Sequence, residues 1–125
     1  MNRPLIIGGA SGIGLSIATE LAKDPAIEQV YIVDKAPIPE EYANPKFRYF
    51  CFDLTSADYT FFNRFDDNID TLMITAGFGH LALFRDLTDE QIQAYFNVNT
   101  LPVIRLIRHF YPRLEGREDF HCGVM

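Results

Sequence analysis

Basic residues are in short supply. Only 11 Lys and Arg stand against 17 Asp and Glu, a net charge of −6, and the basic residues are nowhere clustered. A nucleic-acid surface neutralises phosphates with grouped Lys and Arg, so nucleic acid is disfavoured as a partner. No apolar run approaches the roughly 20 residues of a membrane span, and Met1-Asn2-Arg3-Pro4 runs straight into a strand without a secretory leader. The expectation is a cytoplasmic protein with no membrane partner. Cysteine is scarce as well: Cys51 and Cys122 lack metal-ligand spacing and belong to strands at opposite sides of the sheet inferred below. Four strand steps of about 4.8 Å separate them by roughly 19 Å, beyond the Cα limit of about 7 Å for a disulfide, so both are expected as free, packed thiols. Asp66-Asp67-Asn68 is a run of adjacent polar groups with no histidine beside it, which reads as a solvated turn, and no metal is expected. What is present is a 125-residue chain, 48% hydrophobic, that suits one domain with a core needing neither disulfides nor metals.

The most informative stretch is Leu5 to Ala22, LIIGGASGIGLSIATELA. Leu5, Ile6 and Ile7 lead into Gly8, Gly9, Gly12 and Gly14, and Ile13, Ile17 and Leu21 follow at four-residue intervals, so the segment is expected to run strand, tight turn, helix. Glycines let the backbone bend and approach a ligand without a Cβ in the way. The helix behind them offers unpaired N–H groups and a partial positive charge, which suit an anion and most naturally a pyrophosphate. The spacing Gly8-x-x-x-Gly12-x-Gly14 differs from the commoner G-x-G-x-x-G, and a strand-to-helix turn that binds nothing is the plain alternative. A second apolar strand, Val30 to Val33, weighs against that alternative. It ends in Asp34, twenty residues after Gly14, where a carboxylate can bond the hydroxyls of a ribose.

With these residues in view, IGGASGIG followed by VDK resembles the cofactor-binding start of the short-chain dehydrogenase/reductase family. The resemblance implies that Gly8, Ser11, Gly12, Ile13 and Gly14 form the phosphate loop and that Asp34 meets the adenosine ribose. Further along, Lys23-Asp24-Pro25 stops the first helix, and Lys35 to Lys46, with Pro37, Pro39 and Pro45 among acidic residues, reads as a surface loop. Its prolines are too few and irregular for a recognition peptide. Phe47 to Phe52 forms the third strand, ended by Asp53-Leu54-Thr55. The resemblance assigns Asp53 and Leu54 to the adenine, and a turn or capping carboxylate is the equal alternative for Asp53. Thr55 or Ser56 is expected to cap a short helix whose apolar face is Phe61, Phe62 and Phe65.

Ile69 to Ile74 makes the fourth strand, and Thr75-Ala76-Gly77 follows where the family usually has Asn-Asn-Ala-Gly. Ala76-Gly77 still lets the backbone pass close to the cofactor's ribose, while the bracing amides are absent and Thr75 keeps one hydroxyl for that task. His80 is a lone loop histidine to which no chemistry is assigned. Thr88 to Gln91 is a capping box opening a long helix, Thr88 to Tyr111, bent beside Asn97-Val98-Asn99 because Pro102 removes the donor for the Val98 carbonyl. The resemblance gives Asn99 a place in the catalytic set; a polar residue on a kinked helix is the alternative. It also implies a homo-oligomer packed through this helix. Pro112 and Gly116 are expected to end it, residues 117–119 to turn, and Cys122 to Met125 to begin a fifth strand.

The expected fold is thus α/β, a Rossmann-type doubly wound parallel sheet of strand order 3-2-1-4 with at most the start of strand 5, as one NAD(P)-binding domain over residues 1–125. NAD is preferred to NADP, because Asp34 repels a 2′-phosphate and the glycine loop contains no Lys or Arg, with Lys35 softening the preference. In the resembling family, hydride transfer to an alcohol or carbonyl substrate is matched by proton transfer from a tyrosine. Its pKa, about 10 when unperturbed, is lowered by a lysine four residues later on a helix. Tyr31 and Lys35 lie along a strand, about 13 Å apart at 3.3 Å per residue, and Tyr42 and Lys46 enclose Asn44-Pro45, so neither pair is a credible dyad. The chain is therefore expected to be a fragment, the cofactor half of a longer oxidoreductase, inactive alone because its Ser and Tyr-x-x-x-Lys are absent. A non-catalytic dinucleotide-binding or interaction module is the rival reading. An epimerase or dehydratase relative is disfavoured by the glycine spacing.

Overall fold

Residues 1–77, 83–116 and 119–125 are described by the computed structural model, and His80 and the head of the turn expected at 117–119 lie outside them. Among the described residues one parallel sheet has the order β3-β2-β1-β4-β5, built from β1 (Pro4–Ile7), β2 (Val30–Asp34), β3 (Phe47–Cys51), β4 (Thr71–Ile74) and β5 (His121–Val124). This is the doubly wound order expected, with β5 paired along β4 from Thr71 opposite His121 to Ile74 opposite Val124. Helix α1 (Gly12–Ala22) links β1 to β2, while α2 (Asp89–Tyr95) and α3 (Leu101–Glu115) lie between β4 and β5. Among the described residues no helix is long and apolar enough to cross a membrane.

The central strand explains the two-sided core. Side chains alternate across a strand, so Leu5 and Ile7 enter one core cluster and Ile6 the other, and all three are fully buried. On the first face Phe62, Phe65, Leu106 and Phe110 cover the sheet; on the second, Ala18 of α1 packs with Ile27, Val30 and Ile32. The buried stripe of α1 differs from the one expected. Gly14, Leu15, Ala18 and Ala22 are its buried residues, whereas Ile17 and Leu21 flank the contact and Ile13 is 60% exposed. Small residues at the contact let the helix backbone lie close to the sheet, which a hydrophobicity pattern does not register.

The short helix after β3 is a 3-10 turn, Thr60–Phe65, and Phe61, Phe62 and Phe65 supply its apolar face as expected. Neither Thr55 nor Ser56 caps it: Tyr59 precedes it with no side-chain cap, the Asp58 carboxylate accepts from the Thr60 amide at 3.0 Å and hydroxyl at 2.7 Å, and Thr55 is engaged by Asp53 in the same way. The Thr88 capping box is present, with the Gln91 amide donating to the Thr88 hydroxyl at 3.2 Å and the Thr88 amide to Gln91 Oε1 at 2.9 Å.

The expected single helix Thr88 to Tyr111 is instead two α segments separated by a π turn, Phe96–Thr100. Pro102 cannot donate to the Val98 carbonyl, so the wider turn comes just before it and α3 starts afresh with the proline in its first turn. Pro112 does not end α3, which runs on to Glu115 before Gly116. Nor is Asp66 merely solvated. His109 of α3 lies 2.7 Å from its carboxylate, and Arg113 donates to the carbonyls of Asp66 and Ile69. These residues tie α3 to the turn before β4. Both cysteines are free, yet Cys51 is exposed at an edge strand instead of packed.

Candidate functional site

At the carboxyl ends of β1 to β4 a cavity of about 590 Å³ opens. A crevice at that end of an open parallel sheet is where ligands of such folds bind, and the volume is that of a small-molecule site. Gly8, Ser11, Gly12 and Ile13 line it from the β1–α1 turn, Asp34 and Lys35 from the end of β2, Asp53 and Leu54 from beyond β3, and Thr75, Ala76 and Gly77 from beyond β4.

Close backbone approach shapes its floor. Gly8 has φ +86°, and a Cβ there would stand 2.7 Å from the Ala76 amide nitrogen, so the exits of β1 and β4 touch only because Gly8 has none. A Cβ on Gly14 would lie 2.3 Å from the Gly8 carbonyl oxygen and 2.5 Å from Thr75 Oγ1, which presses the head of α1 against both strands. Thr75 in turn donates its hydroxyl to the Ile7 carbonyl at 2.7 Å, alongside its amide at 2.9 Å, so it braces β1 to β4.

The head of α1 is electrically open. Its first hydrogen bond runs from the Leu15 amide to the Ser11 carbonyl at 3.1 Å, so the amides of Gly12, Ile13 and Gly14 have no partner inside the helix. Ser11 is extended and its side chain does not cap the helix, and the first turn contains no acidic residue to offset the positive end of the dipole. Opposite, the Asp34 carboxylate accepts from the Ala10 amide at 3.0 Å and the Ala36 amide at 3.1 Å, tying the glycine-rich turn to the exit of β2. Each oxygen keeps a further lone pair for a ligand. The Thr55 hydroxyl, and then its amide, hold the Asp53 carboxyl below the ordinary aspartate range.

Over residues 3–119 the sequence matches the family described as short chain dehydrogenase. This chain is a member of the short-chain dehydrogenase family. It is 30% identical, over 96% of its length, to an uncharacterized oxidoreductase of Saccharomyces cerevisiae, of which it covers 41%. It is also 30% identical, over 97% of its length, to an uncharacterized short-chain type dehydrogenase/reductase of Sinorhizobium fredii, of which it covers 50%. The chain thus spans about half the length, or less, of these curated relatives. Among solved structures, a short chain dehydrogenase/reductase family protein superposes with a TM-score of 0.85 at 23% identity, covering 98% of this chain and 54% of that one. A 3-oxoacyl (acyl-carrier-protein) reductase from Agrobacterium tumefaciens with NADP bound gives 0.82 at 20% identity, covering 98% and 51%. These two likenesses show the fold.

Within this short-chain dehydrogenase chain, two of the residues singled out from sequence stand outside the cavity wall. Gly14 lies behind it, and Asn99 sits in the π turn with its side-chain oxygen 3.0 Å from where a Gly77 Cβ would be. Sequence reading missed Val33, Phe52, Thr55 and Val98, which complete the wall. For Val33, Phe52 and Thr55 a signal existed, since Val33 lies near the carboxyl end of β2 and Phe52 and Thr55 follow β3. Val98 had none, because only the path of the π turn brings it over the sheet.

Proposed function

We propose that this chain binds a nicotinamide dinucleotide, NAD in preference to NADP, and is the cofactor-binding domain, residues 1–125, of a dehydrogenase or reductase acting on an alcohol or carbonyl. The observation that carries the reading is the uncapped head of α1 opening into the cavity that Asp34 also lines. The residues present fit the group. Partnerless amides of Gly12 and Ile13, helped by the Ser11 hydroxyl, suit a pyrophosphate; Gly12, at φ +53°, would place a Cβ in open space with no atom within 4 Å, so nothing crowds that approach. Asp34 would receive the hydroxyls of the adenosine ribose, Asp53 and Leu54 would flank the adenine, and Thr75, Ala76 and Gly77 would pass their backbone beside the second ribose. Gly8 and Gly14 would shape the floor beneath the dinucleotide by letting the β1 and β4 exits and the head of α1 meet, and Asn99 would join the catalytic set from beside Gly77.

When bound, the nicotinamide supplies the hydride donor or acceptor. The chain's own residues would orient it, with Val98 and Leu54 giving the crevice an apolar wall. Asp34 disfavours a 2′-phosphate by charge repulsion, and the Lys35 ammonium, on the same wall, reduces that bias. Calorimetric titration tests the assignment. Asp34→Ala is expected to weaken NAD binding by about tenfold or more, the worth of a charge-assisted hydrogen bond, and NADP binding less. Unchanged NAD affinity in a folded variant would remove the basis for the assignment.

The rival reading is a dinucleotide-binding module without chemistry. Tyr31 lies on β2 with Lys35 just past its end, and Tyr42 closes a 3-10 turn with Lys46 just before β3, so neither tyrosine has a lysine one helical turn away. The 125-residue chain is accordingly expected to bind NADH without oxidising it in the presence of a carbonyl substrate; loss of NADH absorbance would contradict this. A longer reading frame carrying a serine and Tyr-x-x-x-Lys separates dehydrogenase from module. The proposal extends to a homo-oligomer packed through α2, the π turn and α3, where Ile92, Phe96, Ile104 and Tyr111 are exposed. Sedimentation of wild type against Ile104→Glu reads that contact.

A further inference from the structure

The turn that leaves β2 carries two opposite charges in succession, Asp34 and Lys35, and both line the cavity. Which of them faces the ribose depends on how the turn is set. Three consecutive carbonyls of that turn are gripped from β3. The Tyr49 hydroxyl is 2.7 Å from the Ala36 carbonyl and 3.2 Å from that of Asp34, and the Cys51 thiol is 3.5 Å from that of Lys35. The Phe52 amide adds a fourth contact, donating to the Asp34 carbonyl at 3.1 Å. Tyr49 stands opposite Ile32 in the β2–β3 register and so reaches forward along the neighbouring strand to close the turn. Its ring packs against the apolar cluster under α1, which anchors the hydroxyl.

We infer that Tyr49 is a positioning residue for nucleotide specificity, holding the Asp34–Ala36 turn so that the carboxylate, and not the ammonium of Lys35, meets the ribose 2′ position. The inference rests on the dinucleotide reading above. The geometry links the parts in sequence: the Tyr49 hydroxyl holds the Ala36 carbonyl, the Ala36 amide holds one Asp34 oxygen, and the Ala10 amide of the glycine-rich turn holds the other. Loss of the hydroxyl frees the turn while leaving the ring packed. Burial, and then the neighbouring Cys51, push the Tyr49 hydroxyl above its ordinary pKa, which keeps it a donor throughout the neutral range.

Titrating NAD and NADP separately into wild type, Tyr49→Phe, Asp34→Ala and the double variant tests this, with thermal melts to establish folding. Tyr49→Phe is expected to weaken NAD by about three- to tenfold, the worth of one hydrogen bond, with NADP unchanged or tighter, so that the NAD:NADP ratio falls. In the Asp34→Ala background the same substitution lowers the ratio less, because the carboxylate it positions is already gone. Cys51→Ala, which releases the Lys35 carbonyl and removes the neighbour of the Tyr49 hydroxyl, moves the ratio the same way by about twofold and reports on the turn should Tyr49→Phe not fold. Equal losses for the two nucleotides, or an unchanged ratio, would mark Tyr49 as merely structural and overturn the inference while the dinucleotide reading stands. Failure of folded wild type to bind either nucleotide would remove both.

Discussion

On one face of the sheet α1 approaches through Gly14, Ala18 and Ala22, which have little or no side chain; on the other, Phe62, Phe65, Leu106 and Phe110 fill the space to the covering segments. The first contact is made by missing atoms, the second by large ones. Around Phe62 the rings form a connected set, Phe52, Tyr59, Phe61 and Phe65 all meeting it with centroids between 5.1 and 6.1 Å. Such a set contributes buried area and edge-to-face contacts, and therefore stability. The α1 contact buries less but fixes the head of the helix against the Gly8 carbonyl, where a displacement of an ångström would be felt in the cavity. One face is built to hold the fold, and the other to place a helix terminus.

Substitutions can break that contrast. Phe62→Ala, at a fully buried site, is expected to cost about 3–5 kcal/mol in urea unfolding, and the remaining folded protein should keep its nucleotide affinity. Gly14→Ala is the complementary case. The added methyl meets backbone at Gly8, so a stability loss of about 1–3 kcal/mol should come with a disproportionate loss of NAD binding by calorimetry. If Gly14→Ala bound NAD normally, close approach would not be what the small face provides.

Smaller effects sharpen the comparison. Thr88→Ala removes the capping box of α2, remote from α1, and should lower stability by about 1 kcal/mol without changing the affinity for NAD. Asp53→Asn tests the cavity rim by pH. The lowered carboxyl pKa means that Asp53 stabilises the fold above the ordinary aspartate range and loses this as pH falls through the folded value. The site is exposed and screened, so Asp53→Asn should flatten the acid limb of the stability curve by only about 0.3 kcal/mol.

The strand order, the glycine turn, the Thr88 box and the aromatic face of the segment at Thr60 were all legible in the sequence, because each depends on residues close together along the chain. Hydrophobic runs mark strands, an i to i+3 polar pair marks a helix start, and the long separation of Cys51 from Cys122 follows from strand count. What could be read of the cavity was the convergence of residues at strand ends: Gly8, Asp34, Asp53 and Thr75 each follow or close a strand, and parallel strands bring those ends together. The π turn at Phe96–Thr100 was foreshadowed only as a bend, since Pro102 reveals a missing donor but not how the preceding turn accommodates it.

Tertiary structure alone decided the rest. That α1 buries Gly14 and Ala18 instead of Ile13 depends on how near the sheet allows a helix to come, a distance no periodicity contains. The contacts of Asp66 with His109 and of Tyr49 with Ala36 join residues 43 and 13 positions apart, and they exist only once β3 lies beside β2 and α3 lies across the sheet. Consecutive residues share a backbone, so their geometry is set by covalent spacing. Groups on different elements share only the packed core, and their distances are settled when that core closes.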